Sequence, residues 1–239
     1  MKVTHNLLEY NNLQIVQDTD YFNFSLDSVL LPNFVTINKN INNILDLCTG
    51  NAPIPMILST KTDAKIYGVE LQKEIFELAS ESIELNKLDD RIELINKNIN
   101  DILEDFETET FDVITCNPPY FENNELNKKN NNQVKSVARH EIYMRLEDIF
   151  KISKKLLKNN GVVAIVHRPE RLVEIIETMK KYNIEPKRLQ FIYPNENKES
   201  NMILIEGKKN GNKGLKILKP LFVHEDNGDY RKEILDMFK

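Results

Sequence analysis

The run Asn117-Pro118-Pro119-Tyr120 is the part of this sequence whose residue types point most directly to a chemistry. An amine attached to an aromatic ring is a poor nucleophile, because its lone pair is delocalised into the ring. The side-chain oxygen of Asn117 and the carbonyl of Pro118 could each accept one of the amine's hydrogens, drawing the nitrogen toward tetrahedral geometry and aiming the lone pair at an electrophile. Prolines fix φ and remove backbone donors, so such a turn presents acceptors stiffly. Tyr120 would stack on the ring, a contact worth roughly 1 to 3 kcal/mol where aromatics meet bases. A proline-rich turn carrying a core aromatic would look the same in isolation, so the reading depends on what precedes it.

Two acids and a glycine precede it. In ILDLCTGNAPIP, residues 44 to 55, Asp46 sits inside an apolar run and the chain turns through Gly50 toward a helix. Glu70 follows twenty residues after Gly50, at the end of the next apolar run, where it could accept hydrogen bonds from both ribose hydroxyls of an adenosine-containing cofactor. After a third run, Asn98 or Asp101 is a candidate contact for the adenine ring of that cofactor. A glycine loop alone carries little weight, but an acid at each of two strand ends, followed by the Asn-Pro-Pro-Tyr turn at a later one, defines a site.

These residues require a scaffold that brings strand ends together. From about residue 43 the chain alternates short β-type runs with segments of helical period, the signature of a parallel sheet wrapped by helices. The predicted strands are NILDLC, KIYGVE, RIELIN, FDVITC, GVVAIVH, LQFIY and MILIEG. The last two are joined only by PNENKES, too short for a crossover helix, so they should pair antiparallel. Ile75, Phe76, Ala79 and Ile83 mark one helical face. Leu146, Ile149, Phe150, Leu156 and Leu157 mark another, with Asn159, Asn160 and Gly161 as its stop signal. Pro169 opens a third helix with Leu172, Val173, Ile175, Ile176 and Met179 at helical spacing. FDVITC is followed instead by a long Asn- and Lys-rich stretch, 121 to 133, and loops of that length are usually functional or disordered. The predicted fold is α/β and Rossmann-like: a seven-stranded, mostly parallel sheet with an antiparallel final hairpin and helices on both faces. Residues 1–40 form an extension to a single domain spanning 41–239.

Composition bounds the rest. At 239 residues, 41% hydrophobic and 29% charged, the chain has the make-up of an ordinary globular domain. No apolar stretch approaches the length of a membrane span and the N-terminus has no apolar signal run, so a cytoplasmic location is expected. Cys48 and Cys116 each end an apolar run without metal-ligand spacing, so two reduced, buried thiols and no metal site are expected. The net charge of -5 argues mildly against nucleic acid, but lysines cluster at 128 to 135, with Arg139 following, and again at 208 to 219.

Together these residues resemble the class I, Rossmann-like S-adenosylmethionine-dependent methyltransferases, with DLCTGNA as the glycine motif, GVE as the acidic motif and NPPY as the amino-methylating motif. The glycine motif departs from the usual pattern in carrying Cys48, Ala52 and Pro53 around its single glycine. Flanking segments narrow the resemblance to tRNA (adenine-N6) methyltransferases acting on adenine 37 of a valine tRNA: QDTDYFNFSLDSVLLPNFV, VARHEIY, HRPERL and PLFVHEDNGDY. This resemblance implies S-adenosylmethionine as cofactor, held by Asp46, Cys48, Gly50, Asn51, Glu70, Leu71, Asn98 and Asn117. It implies that Phe22, Phe24, Ser25 and Asp27 close over the cofactor, making the first forty residues a lid. It implies that Asn117, Pro118, Pro119 and Tyr120 act on the adenine, and that the 121–139 loop with Arg139 meets the RNA. Lys128, Lys129, Lys208 and Lys209 are then candidate phosphate contacts, and His140 is better read as structural or RNA-contacting than as a base. A tRNA partner, a monomer and no metal are expected.

Three other readings compete. Glutamine methylation of a protein uses the same NPPY turn but normally adds a helical N-terminal recognition domain, for which the first forty residues are too few. A DNA adenine methyltransferase would need a separate target-recognition segment, and none is evident. An idle RNA-binding protein on the same fold is opposed by retention of Asp46, Glu70 and NPPY together.

Overall fold

The computed structural model describes residues 1–7, 13–19, 25–119 and 145–238. The chain begins with an antiparallel hairpin of β1 (Lys2–Asn6) and β2 (Gln14–Asp18), followed by α1 (Asp27–Phe34). Then come β3 (Asn43–Leu47), α2 (Pro53–Ser59), β4 (Lys65–Glu70), α3 (Lys73–Leu85), β5 (Ile92–Asn96) and β6 (Phe111–Cys116). Beyond the long loop lie α4 (Leu146–Leu156), β7 (Leu157–His167), α5 (Leu172–Lys181), β8 (Ile184–Tyr193), β9 (Met202–Lys209), the two-residue strands β10 (Lys216–Ile217) and β11 (Leu221–Phe222), and α6 (Lys232–Asp236).

The main sheet runs β10-β8-β9-β7-β6-β3-β4-β5, with β11 also on β8. Strands β5, β4, β3, β6 and β7 are parallel, and β9 is antiparallel to both β7 and β8. All seven expected strands are present. The hairpin of β1 and β2 and the short parallel additions β10 and β11 were not legible in the sequence. From β3 the chain winds outward through β4 and β5, then returns to place β6 on the other side of β3. The switch point therefore lies between β3 and β6, whose carboxyl ends are neighbours.

Alternation along the strands divides the core. Ile44, Ile66, Val113, Ala164 and Val166 join α1, α2 and α3 on one face, whereas Leu45, Leu47, Ile114, Val163 and Ile165 join α4 and α5 on the other. In α3 the buried stripe is Ile75, Leu78, Ala79, Ser82 and Ile83, at the i, i+3, i+4, i+7 spacing of one helical face, and Phe76 stands at its edge, half-buried. The hairpin lies on this helix: Ser82 Oγ receives the Val16 amide at 2.9 Å, and Asn86 bonds both polar backbone groups of Gln14.

Two helical expectations need correction. Helix α4 stops at Leu156, before Asn159, Asn160 and Gly161, and Leu157 already pairs with Phe111 as the first residue of β7. Tertiary partners satisfy its last carbonyls: Glu109 N–H donates to Lys155 O at 3.1 Å and Lys209 Nζ to Leu157 O at 2.7 Å. Asn160, at φ 66°, instead sits within β7 where its register against β6 shifts. In α5 only Ile175 and Met179 are fully buried and Val173 is 68% exposed, because the helix rests on the sheet through a narrow stripe; Pro169–Arg171 form a 3₁₀ turn before it.

Candidate functional site at the carboxyl ends of β3, β4 and β6

Asp46 points to the α1–α2 face of β3 and is completely buried. Its two oxygens accept hydrogen bonds from the hydroxyls of Thr115 at 2.6 Å and Thr49 at 2.7 Å. Burial pushes its carboxyl up to about 7; the threonine hydroxyls act against that rise, and the nearby Glu70 charge adds to it. Asp46 thus ties the glycine loop, through Thr49, to β6, through Thr115. Gly68, the partner of Asp46 in β4, makes room for this: a Cβ there would stand 2.8 Å from the Leu94 side chain and 3.0 Å from Thr49 Oγ1.

The loop after β3 has left-handed backbone at alternate positions, Cys48 (φ 58°), Gly50 (φ 58°) and Ala52 (φ 66°). These are the positions at which a glycine-rich version of the loop would carry glycines, so this sequence keeps the conformation while accepting steric cost at two of the three. The left-handed turn carries the half-buried Cys48 to the α4–α5 side of the sheet, where its thiol meets the buried thiol of Cys116. Burial, and then the Cys48 thiol, raise the Cys116 thiol well above its ordinary range, so Cys116 is an unreactive packing group; both cysteines are free. Asn51 is buried and reaches out of the loop to Val16 O at 3.4 Å, joining the hairpin to it.

Glu70 closes the loop from β4. One carboxylate oxygen receives the Gly50 amide at 3.0 Å and the other the Gln72 amide at 2.9 Å. Burial raises its carboxyl, and the backbone amides of Gln72 and Gly50 oppose the rise. At Gly50 an added Cβ would meet nothing within 4 Å, so the backbone beside Glu70 borders open space. Asn96, level with Glu70 on β5, donates to the carbonyls of Glu70 (2.8 Å) and Leu71 (3.1 Å), and the Leu71 side chain is turned outward. Asn98 is half-buried and spends its side-chain oxygen on the Asn100 amide at 2.9 Å.

At the end of β6, Asn117 is half-buried and Pro118 buried. Asn117 Nδ2 donates to Ser28 Oγ, in the first turn of α1, at 3.3 Å. Asp27 is buried beside it, accepting the Ser28 amide at 2.9 Å and the Ser25 hydroxyl. Asp46, Gly50, Glu70, Asn117, Asp27 and Ser25 therefore converge on the switch point. Phe22, Phe24, Tyr120, Lys128, Lys129, Arg139 and His140 lie outside the described residues. Thr49, Thr115, Asn96 and Ser28 were missed in the sequence. Asn96 carried a usable signal, a polar residue ending its strand as Glu70 ends the one before, whereas no short-range pattern marks Thr115 or Ser28.

Lys208 and Lys209 do not border this site. Strand β9 is antiparallel to β7, with Ile203 opposite His167 at the carboxyl edge and Lys208 opposite Val162, five residues and about 17 Å toward the other edge. Lys209 is buried there, spent on Leu157 O and Glu109. Both stand at the end of β9, Lys209 turned inward and Lys208 half-buried. Among the described residues no group of three or more His, Cys, Asp or Glu side chains could hold a metal ion, and no helix is long and apolar enough to cross a membrane.

Comparison with known proteins agrees with the fold. A curated relative from Flavobacterium psychrophilum, named tRNA1(Val) (adenine(37)-N6)-methyltransferase, is 26% identical over 237 residues, spanning 98% of this chain and 97% of its own. Another of the same name, from Aliivibrio salmonicida, is 28% identical over 76% of this chain and 75% of its own. A predicted O-methyltransferase from Agrobacterium tumefaciens superposes with a TM-score of 0.71 at 20% identity, over 89% of this chain and 95% of its own. Geranyl diphosphate C-methyltransferase from Streptomyces coelicolor, solved with S-adenosyl-L-homocysteine, gives 0.59 at 11% identity over 76% of each chain. The methyltransferase domain model matches residues 38–219, from the segment before β3 through the end of the β8–β9 hairpin and beyond, and the chain belongs to that family.

Proposed function

We propose that this protein transfers the methyl group of S-adenosylmethionine to the exocyclic N6 amine of an adenine in tRNA, adenine 37 of a valine tRNA. The observation that carries the reading is the position of Asn117 and Pro118 at the switch point, beside the loop that Asp46 and Glu70 brace. The names of relatives that match nearly end to end support the acceptor.

The residues fit the cofactor. Glu70 offers carboxylate oxygens at a strand end beside a glycine that leaves open space, a site suited to ribose hydroxyls. Leu71 and Asn98 border the place where an adenine ring would follow, and Asp46, Cys48 and Asn51 hold the loop in shape. Once bound, S-adenosylmethionine supplies a methyl group already activated by its sulfonium. The protein's task is then positioning and electrostatics rather than strong base catalysis. Asn117 Oδ1 and the Pro118 carbonyl accept the two N6 hydrogens and turn the nitrogen lone pair toward that methyl. Pro119 stiffens the turn and Tyr120 stacks on the base. As the new N–C bond forms, the amine becomes acidic and gives up a proton to solvent.

An anticodon-loop adenine is unpaired and enters such a pocket at less cost than a base in a duplex. Phe22, Phe24, Ser25 and Asp27 close over the cofactor, and the 121–139 loop, with Lys128, Lys129 and Arg139, meets the RNA backbone. The protein acts as a monomer, and within residues 1–40 the stretch from Phe22 to Asp27 serves as a lid on the 41–239 domain, into whose core α1 packs. Incubation with tritium-labelled S-adenosylmethionine and unmodified tRNA, followed by digestion and chromatography, tests the reading. Label is expected in N6-methyladenosine, and its absence from RNA together with label in a protein glutamine or in DNA would overturn it.

A further inference from the structure

An asparagine side chain carries an acceptor and a donor on the two arms of one amide, and a half-turn about the terminal torsion exchanges them. The chemistry proposed for Asn117 works in only one of the two orientations: the oxygen must face the substrate amine, since an NH₂ there would oppose two hydrogens with two more. In the structure Ser28 Oγ receives Asn117 Nδ2 at 3.3 Å; a hydroxyl can serve either arm of an amide, so what this contact fixes is the position of the amide beside α1.

Ser28 is well placed to do so because it is itself immobilised. Its amide donates to Asp27 Oδ1 at 2.9 Å and to Ser25 O at 3.0 Å, and its side chain is buried. The residues that follow, Val29, Leu30 and Leu31, are at most 1% exposed and anchor α1 in the core shared with α2 and β7. The hydroxyl is thus fixed at one end of a packed helix, and the catalytic amide is fixed against it across 89 residues of sequence.

We infer that Ser28 is a positioning residue for methyl transfer: its hydroxyl anchors the NH₂ arm of the Asn117 amide at the start of α1 and so sets where Oδ1 lies against the adenine amine. The inference rests on the reading of Asn117 given above.

The test compares Ser28→Ala and Ser28→Thr with the parent in steady-state methylation of unmodified tRNA, alongside S-adenosylmethionine affinity by calorimetry. Losing one hydrogen bond that orients a reacting group should lower kcat about 5- to 30-fold in Ser28→Ala. Affinity for the cofactor and KM for tRNA should stay close to the parent's, and Ser28→Thr, which keeps the hydroxyl, should recover most of kcat. An unchanged kcat in Ser28→Ala, a loss of cofactor affinity equal to the loss of rate, or a Ser28→Thr variant no better than alanine would each overturn it. Asn117→Ala separates the two levels: if it retains activity the reading of Asn117 itself fails, whereas an inactive Asn117→Ala beside a fully active Ser28→Ala removes Ser28 alone.

Discussion

Asp46 offers the sharpest quantitative test of the site's construction. It is a carboxyl with no exposure, and its two threonine partners are neutral hydroxyls that can accept as well as donate. Burial outweighs the hydrogen bonds and lifts it from 3.8 to about 7. Below about pH 4 the carboxyl is neutral in both folded and unfolded chains, and its contribution to stability is fully present. As pH rises the unfolded chain ionises first, so stability is lost until the folded carboxyl also ionises near 7. The whole span corresponds to about 4 kcal/mol, of which more than half falls between pH 5 and pH 8. Asp46→Asn removes the titration while keeping the shape: the amide oxygen accepts from one threonine and its NH₂ donates to the other, whose hydroxyl rotates to receive it. In urea titrations at the two pH values, the variant should lose roughly 2 to 3 kcal/mol less stability than the parent, a difference of roughly 1 M in midpoint. Parallel losses in the two proteins would refute the reasoning, because the pH dependence would then originate elsewhere.

Three further outcomes follow from the same geometry. Glu70→Ala should weaken S-adenosylmethionine binding by roughly 10- to 100-fold in calorimetry, since it deletes the ribose acceptor and releases the Gly50 and Gln72 amides that the carboxylate now holds; unchanged affinity would contradict the assignment. Ala52→Gly should relieve a left-handed Cβ and raise stability by up to about 1 kcal/mol in chemical denaturation, with destabilisation as the refuting result. Lys208→Ala should leave affinity for tRNA unaltered in filter binding over a range of salt, and a reduced salt slope would show that the amino edge of the sheet does touch phosphate.

The succession of strands along the chain, the parallel core and its antiparallel closing hairpin were legible in the sequence because each rests on local quantities: apolar period, turn residues, and a connection too short for a crossover. So were the strand-end positions of Asp46, Gly50, Glu70 and Asn117, since a residue that ends a parallel strand has only one edge of the sheet on which to lie. The loop geometry was less legible. Cys48 and Ala52 look like a weakened glycine motif until their φ values show the same left-handed backbone, held from outside the loop by Asp46, through Thr49, and by Glu70, through Gly50. Helix α4 ends before its Asn-Asn-Gly signal because Phe111, Glu109 and Lys209 claim the next residues first.

What tertiary structure alone decided is whatever depends on pairing across the chain. The direction of β9 sends Lys208 and Lys209 away from the site, although in sequence they look like any basic cluster. The contact between Ser28 and Asn117 exists because α1 packs over the switch point. Local sequence fixes what a residue can do and, through periodicity, which face of its element it lies on. Which residue meets it there is set by long-range packing, and no spacing within either segment encodes that.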